Sequence, residues 1–72
     1  MNTQYKLSEV LLSNSEVYQV KRAIADMNID VFLFPSDKEG YELVSNDRGD
    51  LMEIFDLISF ELNLVEEDII TV

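Results

Sequence analysis

The sequence predicts an α+β domain, and three observations carry that reading. Two stretches have helical periodicity, β-favouring runs stand before, between and after them, and turn-forming residues mark the junctions. With 72 residues, the chain from 1 to 72 reads as one small domain. At that size a single core supplies only a few kcal/mol, so every buried side chain counts. The hydrophobic content of 47% is that of a folding chain, despite a formal net charge of −10. Acidic disordered tails carry far less apolar surface.

Tyr5 to Leu12 is the most ambiguous element. With period two, Tyr5, Leu7 and Leu11 share a face with Glu9, against Lys6, Ser8, Val10 and Leu12. With helical period, Leu7, Val10 and Leu11 line up instead. A strand is the favoured reading. Ser13, Asn14 and Ser15 then offer helix caps, and Ser13 with Glu16 has the spacing of a capping box. The helix that follows is expected to run to about Asn28, with Val17, Val20, Ala23, Ile24 and Met27 as its apolar stripe. Tyr18, Lys21, Arg22 and Ala25 fall on its far side.

Asp30 to Phe34 predicts a strand, and the continuous apolar run Val31-Phe32-Leu33-Phe34 reads as sheet interior. Pro35 to Gly40 is turn chemistry, and Tyr41 to Ser45 resumes a strand, giving a hairpin with a loop of five or six residues. After Asn46 to Gly49, Asp47 or Asp50 is placed to cap a second helix, Asp50 to Asn63. Acids in its first turn also suit the helix dipole. Leu51, Ile54, Phe55, Ile58 and Leu62 gather on one side of that helix, and Asp50, Glu53, Asp56 and Glu61 on the other. Leu64 to Asp68 is a short acidic passage, and Ile69 to Val72 closes the chain as a strand.

The order strand, helix, strand, strand, helix, strand resembles the split βαβ or ferredoxin-like (βαββαβ) arrangement. That resemblance implies a four-stranded antiparallel sheet with both helices on one face and the other face open. If Tyr5 to Leu12 were helical, the alternative is a three-stranded sheet with an extra N-terminal helix. So many functions share the ferredoxin-like layout that the layout implies none of them.

Composition narrows the chemistry. The chain has no histidine and no cysteine, which removes disulfides, thiolate zinc sites, imidazole bases and any Ser/His/Asp set. No Walker A or GxGxxG motif is present. With Gly40 or Gly49 as the central glycine, an EF-hand loop would start at Pro35 or Val44, so none fits. Glu66, Glu67 and Asp68 are consecutive, and their side chains diverge as solvated loop acids do. A two-carboxylate hydrolase needs no histidine but wants a concave apolar pocket, which this chain gives no sign of. The expectation is a protein that is not an enzyme, with no catalytic, metal or cofactor residues. Arg48-Gly49-Asp50 spells an adhesion tripeptide, yet with no secretion signal or cysteine framework it reads better as a turn opening a helix. The N-terminus lacks a basic region followed by a long apolar run, so a cytoplasmic location is expected.

Charge is unevenly placed. Met1 to Ile29 balances to zero and Asp30 to Asn46 sums to −3. From Asp47 to Val72 eight acids face Arg48 alone, a sum of −7. Such a pole repels nucleic acid and anionic membrane and attracts basic protein surfaces. Phe32 and Phe34 could supply rings to an RNA-binding sheet, but the sign of the charge is wrong.

On the second helix, acids one turn apart place neighbouring carboxylates on the order of 5 to 6 Å from each other. Leu57 and Phe60 project among those acids, where a solvated face would be polar. The expected partner-binding residues are Asp50, Glu53, Asp56, Leu57, Phe60, Glu61, Glu66, Glu67 and Asp68. The expected function is that of an inhibitor or regulator which occupies a basic, nucleic-acid-binding surface of a partner protein, as phage anti-restriction and anti-CRISPR nucleic-acid mimics do. Charge spacing limits the mimicry, since duplex DNA carries one charge per ~1.7 Å and this helix about one per 5 Å. The alternatives are a solvated helix with Leu57 and Phe60 turned toward the Leu64 to Val72 segment or a homodimer partner, or an amino-acid-sensing module of the ACT type. The latter would bind ligand near Ser13-Asn14-Ser15, which lacks a glycine for close approach.

Overall fold

The structure is a computed structural model that describes residues 3–62 and 64–71, and side chains within that range apart from 59–62. Its elements are β1 (Tyr5–Val10), α1 (Asn14–Met27), β2 (Val31–Pro35), β3 (Tyr41–Ser45), α2 (Arg48–Leu62), a 3-10 turn (Glu66–Asp68) and β4 (Ile69–Thr71). The strands form one four-stranded sheet in the order β2-β3-β1-β4, with every neighbouring pair antiparallel. This is the ferredoxin-like arrangement, and Tyr5 to Val10 is strand and not helix. The expected stop at Asn63 and the end of the last strand at Val72 lie outside the described residues.

Local chemistry explains the helix ends. Ser13 accepts from the Glu16 N–H at 3.2 Å while Glu16 Oε1 accepts from the Ser13 N–H at 2.9 Å, a complete capping box. Asn28 closes α1 in the left-handed region at φ 53°, a conformation that asparagine tolerates better than most residues. The second helix starts two residues before the sequence suggests. Asp47 is its cap, accepting from the Asp50 N–H at 3.2 Å.

The core lies between the helices and one sheet face. Leu7, Val10, Val31 and Leu43 from the sheet meet Val20 of α1 and Leu51, Ile54, Phe55 and Ile58 of α2. Val20, Ala23 and Ile24 of the α1 stripe and Leu51, Ile54, Phe55 and Ile58 of the α2 stripe pack on the core as the sequence suggests. Met27 at the end of α1 is exposed, and the Leu62 side chain lies outside the described residues.

Two findings depart from simple alternation. Strict period two would turn Glu9 inward and Val10 outward. Instead the β1–β3 register shifts between Leu7 and Val10, a β-bulge in which Glu9 adopts φ 56°. That extra residue turns Glu9 to solvent and Val10 into the core. Gly40, at φ 73°, sits against the bulge, where a β-carbon would stand 2.4 Å from the Val10 carbonyl oxygen. Only glycine fits there. The second departure concerns β2, which is an edge strand and not sheet interior. Val31 is buried, but Phe32 and Phe34 stay 52% and 46% exposed on the open face. A continuous apolar run marks burial on both faces only when something covers both.

Candidate functional site

The acidic pole is built from α2 and the turn that follows it. The core stripe on α2 fixes the helix rotation, and Glu53, Asp56 and Leu57 therefore face solvent. Leu57 is 48% exposed, one turn beyond Glu53. Glu66, Glu67 and Asp68 are exposed on the 3-10 turn. Asp68 also accepts from the Val65 N–H at 3.1 Å, so its carboxylate holds that turn in shape. The side chains of Phe60 and Glu61 lie outside the described residues.

Asp50 differs from the other acids. It is half-buried, and its Oδ2 accepts from the Asp30 N–H at 3.0 Å. Its neighbours extend this into a polar knot. Ser45, 1% exposed, accepts from the Asp47 N–H at 3.0 Å and has the carbonyls of Asp30 and Asp47 within reach of its single proton. The start of β2, the end of β3 and the first turn of α2 are thus tied at one corner. Asp50 contributes to the position of the acidic helix, while Glu53 and Asp56 form its solvent surface. Sequence spacing alone puts all three on one face; the difference comes from Asp30, twenty residues away along the chain.

The carboxylates of Glu53, Asp56, Glu66 and Glu67 make no hydrogen bond or ion pair with any described residue. Two of the chain's five cations are paired away from this layer, Lys6 with Glu42 at 3.0 Å and Arg22 with Asp26 at 3.6 Å along α1, while Arg48 stands in the first turn of α2. Carboxylates with no partner among the described residues are placed to meet an outside cation.

No group of three or more acids among the described residues converges as metal ligands would. An open hollow of about 210 Å³ lies at one end of the sheet, lined by Lys6, Glu9, Ser36, Lys38 and Glu42 among others. Ligand pockets are larger and mostly apolar. The Ser13 end of α1, where an ACT-type module would hold its ligand, has its hydroxyl and the Glu16 carboxylate committed to the capping box. No described helix is long and apolar enough to cross a membrane. Comparison with protein-family models, curated proteins and solved structures finds no match to this chain. The reading of the site rests on its own geometry.

Proposed function

We propose that this chain is a non-catalytic binding protein whose acidic layer, the outer side of α2 with the turn at Glu66–Asp68, docks on a basic, nucleic-acid-binding surface of another protein. One observation carries the reading: Glu53, Asp56, Glu66 and Glu67 are exposed, their carboxylates without a partner among the described residues, and Leu57 stands exposed among them. Charge supplies attraction and orientation. Leu57 supplies apolar contact of the kind that tight interfaces need beyond charge. The mechanism is steric and electrostatic occlusion, in which the acidic layer fills a site that phosphates would otherwise occupy. A phage-encoded inhibitor of a nuclease would act in this way.

The test is capture from a host lysate in the presence and absence of competitor nucleic acid. The wild-type chain should retain a basic protein that excess duplex DNA or RNA displaces. Glu53→Lys with Asp56→Lys should lose it while the far-UV spectrum stays unchanged. Capture that survives both the substitutions and the competitor would refute the reading.

A further inference from the structure

The helices cover one face of the sheet and leave the other bare. Register places Ile70, Lys6, Val44 and Phe32 in one row across all four strands, with Glu42 and Phe34 side by side in the next. Phe32 and Phe34 stack at 6.3 Å between ring centroids, and Ile70 is 50% exposed at the far edge. Single exposed apolar residues need no explanation, but a row in which three of four strands carry an apolar residue, Ile70, Val44 and Phe32, does.

We propose that this open face is a self-association surface on which a second copy of the chain packs, sheet against sheet. Charge is the first argument for that occupant. Two copies carrying −10 each repel wherever acids face each other. The two rows across the open face carry one cation and one anion, Lys6 and Glu42, joined at 3.0 Å. With Glu9, Asp37 and Lys38 in the hollow beside them, two cations meet three acids, a sum of −1 that is small beside the −7 from Asp47 to Val72. Copies that meet here turn their acidic helices to opposite outer sides, where the repulsion is least.

Self-complementarity is the second argument. Closed dimers are two-fold symmetric, and a two-fold interface must match its own surface. Lys6 and Glu42 lie on adjacent strands, so an axis between them sets each Lys6 against the other copy's Glu42. The two intrachain pairs then become a four-member network at the centre, flanked by the phenylalanines.

Size sets the strength. Four strands at ~4.8 Å spacing and about five residues at ~3.3 Å give a footprint of roughly 19 by 17 Å. That is about 320 Å² per copy, below the ~800 Å² per partner of a standard specific interface, so the dimer is weak, concentration-dependent and not obligate. Two half-exposed phenylalanines are its largest apolar component.

Sedimentation equilibrium from low micromolar to near-millimolar chain is the experiment. The apparent mass should climb from 8.3 kDa toward twice that value. Phe32→Ser with Phe34→Ser should raise the dissociation constant at least about tenfold, with an unchanged far-UV spectrum. Leu57→Ser, on the opposite layer, should leave it unchanged. Lys6→Glu and Glu42→Lys provide an independent arm. Each alone sets like charges against each other and should be monomeric, while a mixture of the two should form heterodimer. A wild type that stays at 8.3 kDa throughout overturns the proposal. So does a dimer that the phenylalanine variant leaves intact, or one that Leu57→Ser dissolves. Loss of a foreign partner by the phenylalanine variant of a strictly monomeric chain would overturn it too. None of these outcomes bears on the acidic layer, which is tested by capture.

Discussion

The two helices lie on the same sheet face and are nearly equal in length, 14 residues in α1 and 15 in α2, but they differ in both faces. Helix α2 buries Leu51, Ile54, Phe55 and Ile58, whereas α1 buries only Val20 fully. On the outside, α1 mixes Lys21 and Arg22 with Asp26 and holds one internal ion pair. Helix α2 instead shows Glu53 and Asp56 without a partner among the described residues. The helix that anchors the fold, and that Asp50 helps to seat, is thus also the one that turns these two acids outward. That combination suits a contact surface, because a rigidly seated element presents its side chains in one geometry.

The largest effect expected from this contrast is in the core. Ile54→Ala should cost about 2 to 5 kcal/mol, enough to unfold a domain of this size. Val20→Ala removes two methyl groups and should cost about 2 kcal/mol. Urea unfolding followed by circular dichroism compares them, and equal losses would erase the distinction between the helices.

The entry to each helix gives a smaller contrast. Ser45→Ala should cost about 1 to 3 kcal/mol, because removing the buried Ser45 hydroxyl takes the acceptor from the Asp47 N–H and the donor from the Asp30 and Asp47 carbonyls at the corner that seats α2. Ser13→Ala, at an exposed cap, should cost about 1 kcal/mol. A reversed order in thermal or urea unfolding would mean that the polar knot does not hold α2 in place.

The smallest effect sharpens the claim most. Glu53→Gln with Asp56→Asn should change stability by no more than about 0.5 kcal/mol in the same urea titration, since neither carboxylate has a partner among the described residues. A clear loss of stability would assign those carboxylates to the fold.

Much of the architecture is legible in the residues because local signals agree with the fold. Ser13 and Glu16 announce α1 at a fixed spacing, and Asn28 marks its end. Pro35 to Gly40 between two β-favouring runs announces the hairpin. What escaped depends on distant neighbours. The run Val31 to Phe34 has the same composition in a covered strand and in an edge strand with a bare apolar face, so Phe32 and Phe34 read as core. The bulge at Glu9 follows from pairing with β3 and from the space that Gly40 leaves, neither of which period-two patterning records. At the acidic layer, helical spacing gathers Asp50, Glu53 and Asp56 on one face, but only the fold brings Asp30 to Asp50 and separates it from its neighbours.

The central claim is that the outer side of α2 contacts a partner and the outer side of α1 does not. Parallel capture decides it, using the wild-type chain, a Glu53→Lys/Asp56→Lys variant on α2 and a Lys21→Glu/Arg22→Glu variant on α1. The account predicts that the α2 variant loses a basic protein which nucleic acid also displaces, while the α1 variant retains it. Equal retention by all three, or loss only in the α1 variant, would contradict it.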